Sequence, residues 1–195
     1  MKKTFFSLVV ATIAAFNLNA GEINVFAAAN VTYAFDELKA EFAKSNPDTK
    51  VTVTLGASGA LSTQVKNGAP ADVFMAANMK FVQDLYETKF AVTQPVVYAQ
   101  GALALFTIRD IDLAKGINAV EGLKAIAIAN PETAPYGKAS VEALKKAGIY
   151  DKVEKNVILA KSIGEALSQA LSAADVGFIA ASAMYDKKIA EYKEG

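Results

Sequence analysis

Repeatedly along this chain, a run of β-forming apolar residues ends in small side chains and then in a residue suited to starting a helix. The ends read Ala27-Ala28-Ala29-Asn30, Gly56-Ala57-Ser58-Gly59, Ala76-Ala77-Asn78 and Ala160-Lys161-Ser162. Strands that alternate with helices in this way predict parallel pairing and right-handed crossovers. Such sheets gather their ligands at the carboxyl ends of the strands, and those are the ends that carry the small residues. Small side chains let a ligand approach the backbone. The first N–H groups of each following helix have no partner inside it. Several such ends converging on one point would make an anion site.

The periodicity fills in the elements. Strands are expected at 22–28, 50–55 and 72–76, with helices at 31–45, after Ser58 and at 79–88. The helix at 31–45 carries Val31, Phe35, Leu38 and Phe42 on one face. The strand at 50–55 alternates through Val51, Val53 and Leu55, which predicts one buried face. An extended stretch at 95–98 leads through Gln100-Gly101 into a new strand at 102–106, and reads as a crossover between two lobes. Strand–helix units then resume. Strands fall at 124–129, 156–160 and 176–179, and helices at about 138–147 and from Ser162 through Leu171. Gly148 stands where a glycine ends a helix, and Ser182 is expected to cap the last helix.

Composition removes several kinds of chemistry. The chain has 195 residues, 53% of them hydrophobic, which suits one globular unit or two small lobes. Its 20 basic residues balance 20 acidic ones, so nothing argues for a grip on nucleic acid. It holds no histidine and no cysteine, which excludes a Ser-His-Asp triad and a thiolate site. A zinc site would have to be built from carboxylates alone. Lys2 and Lys3, the apolar run at 5–16 and Asn17-Leu18-Asn19-Ala20 read as a secretory signal cleaved before Gly21.

Each candidate residue has two readings. Asn30 is an N-cap or a ligand donor. Gly56-Ala57-Ser58-Gly59 is a tight turn with a serine cap or an anion cradle. Ala76-Ala77-Asn78 is close sheet packing or a cleft wall, and Tyr136, after Pro135, is core or rim. Ser162 with Glu165 has capping-box spacing. Lys138 and Lys161 flank these motifs as solvated cations or anion partners. Glu132 and Asp175 read as surface or capping charges.

Together, several segments resemble the periplasmic molybdate-binding proteins of bacterial ABC transporters. They are Val25-Phe26-Ala27-Ala28-Ala29-Asn30, Gly56-Ala57-Ser58, Asn67-Gly68-Ala69-Pro70-Ala71-Asp72-Val73-Phe74 and Asn130-Pro131-Glu132. The resemblance implies an α/β, two-lobed type II periplasmic binding protein. Each lobe would be a mainly parallel sheet flanked by helices, with the ligand in the cleft between them. Residues 1–20 would be the signal peptide, 21–97 the first lobe and 98–190 the second. Relatives continue for several dozen residues and return to the first lobe. That return is expected to be absent here, the sequence given stopping at Gly195. The implied ligand is molybdate or tungstate, delivered to a membrane permease by a periplasmic monomer. No catalytic residue, no cofactor and no direct protein–metal bond is implied. Carried over residue by residue, the oxyanion contacts are Asn30, where the family usually has serine, then Ser58, Ala77, Tyr136 and Ile163. A tyrosine that many relatives place on the anion is replaced by Ala180. The alternatives are a sulfate, thiosulfate or other small-anion binding protein of the same fold, and more remotely an exported serine hydrolase using Ser58 and a lysine such as Lys66.

Overall fold

The computed structural model describes residues 21–193; the expected signal peptide lies outside the described residues. The described residues form two sheets. The first contains β1 (Glu22–Ala28), β2 (Lys50–Gly56) and β3 (Val73–Met75), all parallel in the order β2-β1-β3. Helices α1 (Thr32–Ser45) and α2 (Ser58–Lys66) connect these strands, and α3 (Met79–Glu87) follows β3. The second sheet contains β4 (Leu103–Phe106), β5 (Ile126–Ala129), β6 (Val157–Ala160) and β7 (Val176–Ala180), in the order β4-β7-β5-β6. Only β4 runs antiparallel, against β7. Its helices are α4 (Pro135–Lys146), the short α5 (Tyr150–Val153) and α6 (Ile163–Ala170), and α7 (Lys187–Ala190) lies beyond β7. This is the α/β arrangement expected from the strand–helix alternation.

The second sheet is the better buried. Every residue of β5 and β7 is buried, as central parallel strands require when helices cover both faces. Ile126, Ile128, Val176 and Phe178 pack with Leu144, Ile149 and Val153 into one apolar cluster. At the end of α4, Gly148 takes φ +71°, its N–H donates to Lys145 O, and the Ile149 N–H donates to Leu144 O. That pair of bonds closes the helix as the glycine predicted.

The first sheet differs from expectation in its burial. Of the alternating set on β2, Val51 is buried but Val53 and Leu55 are exposed. Of the stripe expected on the first helix, Val31, just before α1, and Phe35 are buried but Leu38 and Phe42 are exposed. The pattern predicted the secondary structure correctly. It overestimated burial because β2 is an edge strand and the second half of α1 has no apolar layer over it among the described residues.

Two aspartates clamp the sheets. Asp72 Oδ2 accepts the Asn24 N–H at 2.7 Å, tying the start of β3 to β1. Asp175 Oδ2 accepts the N–H groups of Lys124 and Ala125 at 2.8 and 3.0 Å, tying the start of β7 to the start of β5. Both lie in Ala-Asp-Val triplets, Ala71-Asp72-Val73 and Ala174-Asp175-Val176. Asp175 is therefore a sheet clamp and not a loose surface charge. Ser182 is also reassigned. Asp186 caps α7 by accepting from Lys188 N–H, while Ser182 sits inside a 3-10 turn and bonds elsewhere. Asp175→Ala is expected to lower unfolding stability by about 1–3 kcal/mol, since two N–H groups lose a charged acceptor; urea denaturation read by far-UV circular dichroism measures it.

Candidate functional site

The strand ends singled out in the sequence do not all turn alike. After β1, residues Ala29–Val31 form a 3-10 turn that contains Asn30. The residue before this turn is Ala28 and the residue before α1 is Val31, and neither cap uses the Asn30 side chain. The capping reading of Asn30 therefore fails. Its Oδ1 is buried without a hydrogen-bond partner. After β2, Ala57 stays extended and Ser58 is the first residue of α2. The Ser58 side chain makes no cap bond either. Its Oγ is fully buried and accepts the Ala77 N–H at 3.0 Å. A hydroxyl that accepts there keeps its own hydrogen for a second partner.

In the second lobe, Ala134 precedes α4, with Pro135 at the first helical position and Tyr136 at the second. Ser162 does cap α6, accepting the Glu165 N–H at 3.3 Å, and Glu165 reaches back to the Lys161 N–H at 2.8 Å. The first intrahelical bonds are Leu61 N–H to Ala57 O in α2, Lys138 N–H to Ala134 O in α4 and Ala166 N–H to Ser162 O in α6. The N–H groups of Ser58, Tyr136 and Ile163 come before those bonds and have no partner in their own helices.

Asn30, Ser58, Ala77, Tyr136 and Ile163, named from the sequence on two different lobes, line one small cavity. The rest of its wall is glycine, alanine and proline, and no charged side chain lines it. Three helix N-termini, from α2, α4 and α6, meet there with the 3-10 turn of Asn30. The electrostatics follow: partial positive charge from aligned peptide dipoles, in a small space with little water to screen it. Ala77 has a narrower part than a direct donor. Its N–H is committed to Ser58, so it fixes the hydroxyl that faces the cavity.

The flanking cations are placed elsewhere. Lys138 Nζ pairs with Glu142 at 3.6 Å on an exposed helix face. Lys66 Nζ pairs with Asp84 at 2.5 Å, which removes it as a base for Ser58. Among the described residues no group of three or more carboxylates could hold a metal ion. Ala180 is buried beside Tyr136 in an alanine-rich cluster and is not part of the cavity wall. The Tyr136 hydroxyl lies against Gly101 in the crossover, where a side chain would overlap it. Burial raises the Tyr136 phenol above 10.0, with Tyr98 adding to the effect, and burial likewise raises Tyr98. Tyr33 is raised by burial and then by Asp186. Sequence reasoning missed two bonds between the lobes, Gly59 N–H to Thr133 O and Ser182 Oγ to Asn30 O, each 2.8 Å. Nothing in a serine or glycine at these positions announces a partner more than 70 residues away.

Two α/β lobes that meet at the carboxyl ends of their strands, around a small cavity of neutral donors, define a solute-binding protein. Residues 23–192 match the bacterial extracellular solute-binding protein family, and the chain belongs to it. It is 36% identical over 172 residues to the molybdate-binding protein ModA of Rhodobacter capsulatus, covering 87% of this chain and 68% of that protein. With ModA of Haemophilus influenzae it shares 33% over 155 residues, 75% of this chain and 61% of that protein. The solved structure of the Azotobacter vinelandii periplasmic molybdate-binding protein superposes with a TM-score of 0.75 at 35% identity, covering 81% of this chain and 71% of that one. The matches thus span about two thirds of the length of the curated relatives.

The raised phenols set a pH dependence. The folded state holds these protons more tightly than the unfolded chain, so their contribution is complete below the unfolded value of 10.0 and is lost as pH rises through the folded values. Because the chain has no histidine, no side chain with an ordinary pKa titrates between about pH 6 and 8. Thermal denaturation against pH is expected to be flat across that range and to fall above about pH 10.

Proposed function

We propose that this chain captures a tetrahedral oxyanion, molybdate or tungstate, outside the cytoplasm and delivers it to the membrane permease of an ABC importer. The observation that carries this reading is the meeting of three helix N-termini and the Ser58 hydroxyl on one cavity without a charged side chain. The names of the relatives supply the identity of the anion. The protein acts as a monomer exported by the signal segment at residues 1–20. It binds rather than transforms its ligand: Lys66, the lysine considered as a base for Ser58, is paired with Asp84 instead. The metal arrives inside its oxyanion as cargo and forms no bond to the protein.

The mechanism follows from the donor set. A fully ionised dianion accepts at every oxygen, so donors alone satisfy it. Ser58 supplies O–H and N–H, Tyr136 and Ile163 supply backbone N–H, and Asn30 supplies its carboxamide N–H. An oxyanion that keeps a proton would need an acceptor and is disfavoured. Bonds to a charged ligand are shorter and stronger than neutral ones. Rigid donors spaced for the larger oxyanion leave gaps around sulfate, and an unmade bond in a closed site costs affinity.

Calorimetry with molybdate, tungstate and sulfate tests the reading. Molybdate and tungstate are expected to bind, and sulfate to bind at least about ten-fold more weakly. Ser58→Ala is expected to weaken molybdate about 10- to 100-fold, the range for a hydrogen bond to a charged group. Sulfate binding as tightly as molybdate would move the assignment to a sulfate-binding protein of the same fold.

A further inference from the structure

Two hydrogen bonds run directly from one lobe to the other beside the cavity. The Gly59 N–H, next to Ser58, donates to Thr133 O, next to Ala134, at 2.8 Å. The Ser182 hydroxyl, in the 3-10 turn after β7, donates to the carbonyl of cavity-lining Asn30, also at 2.8 Å. We propose that this pair is a latch that holds the lobes closed independently of the ligand, and that Gly59 and Ser182 are positioning residues for closure. The effect of the latch on ligand release rests on the oxyanion reading above; its effect on the lobes does not.

The chemistry of each bond supports a role in closure. Gly59 is the second residue of α2, so its N–H is one of the helix donors without an intrahelical partner. It is committed across the cleft, while the N–H of its neighbour Ser58 is left for the cavity. The contact requires glycine. A Cβ at position 59 would stand 2.9 Å from Thr133 O and 3.1 Å from the Phe81 ring, so any side chain there forces the opposing loop away. Ser182 caps no helix. Its hydroxyl fixes the turn that carries the Asn30 side chain, so closure and the placement of Asn30 are one event. The same segment is seated on the first lobe by packing. Tyr33, on the first turn of α1, packs against the cluster containing Ala183 and Ile189. Elsewhere the facing surfaces are small and apolar, with Ala29 and Ala57 packed against Ala134 and Ile163. Apolar contact of that kind has no direction, and the two bonds supply the register.

A latch of this kind acts on the closed state, so its loss should appear in ligand release. Each bond removed is expected to raise the molybdate dissociation rate about two- to ten-fold with little change in association rate. The chain has no cysteine, so Glu37→Cys and Lys146→Cys, both on exposed positions of opposite lobes, give a clean pair for spin labels. Pulsed dipolar spectroscopy then reads the distance between lobes. Ser182→Ala and Gly59→Ala are each expected to shift the distribution toward longer distances, and Ser182→Thr to restore it. Ser168→Ala, which loses a hydroxyl bonded only within α6, is expected to leave it unchanged. Distances in Ser182→Ala and Gly59→Ala that coincide with the parent, while molybdate still binds, overturn the latch alone. A latch-dependent shift in a protein that fails to bind molybdate overturns the ligand reading alone.

Discussion

An α-helix leaves its first N–H groups without partners, and this site depends on that. In a buried cavity an unpaired N–H is costly, so a structure that aims three helix starts into one space calls for an acceptor there. An anion meets that need without any basic residue. The strand ends must then be small, because a bulky side chain would keep the ligand from the backbone. This accounts for Ala28, Ala29, Gly56 and Ala57 around Asn30 and Ser58, and for the absence of charge from the cavity wall. It also explains how a chain with 20 basic and 20 acidic residues can offer an anion site. The positive character comes from peptide dipoles, and the lysines serve the exterior.

The same small residues govern how the lobes meet. Alanines on both sides allow close approach, and a cluster dominated by alanine joins the two sheets across the cavity. The second lobe is the firmer partner, with β5 and β7 fully buried and Asp175 clamping their starts. The first lobe is thinner and leaves Leu38, Phe42, Val53 and Leu55 exposed. Ser58 and Asn30 therefore sit on the less covered lobe, where contacts from the second lobe have most to add.

Much of this was legible in the sequence, because the strand–helix alternation has two clear periods and the turns between them carry distinctive small residues. Ser58 stands out at a strand-to-helix turn, whereas Tyr136 and Ile163 came from the family resemblance; local sequence marks only the helix starts that carry them, with Pro135 at the first position of α4 and Ser162 with Glu165 at the start of α6. Asn30 was ambiguous, since an asparagine before a helix is usually a cap. Only the 3-10 turn at Ala29–Val31, whose Asn30 carbonyl accepts from Ser182, takes it out of that role. Burial was misjudged at Leu38 and Val53 because an apolar stripe states a preference and not whether a covering layer exists. Asp175 and Ser182 were misread for one reason: their partners are distant in sequence, and periodicity is blind to such pairs.

The central claim is that backbone N–H groups at helix starts, with one serine hydroxyl, hold the anion. Amide chemical shifts of the nitrogen-15-labelled protein, followed during a molybdate titration, test it most directly. The account predicts the largest changes at the amides of Ser58, Tyr136 and Ile163, with the Asn30 side-chain amide moving alongside them. Changes concentrated at other residues while these amides stay still would contradict it.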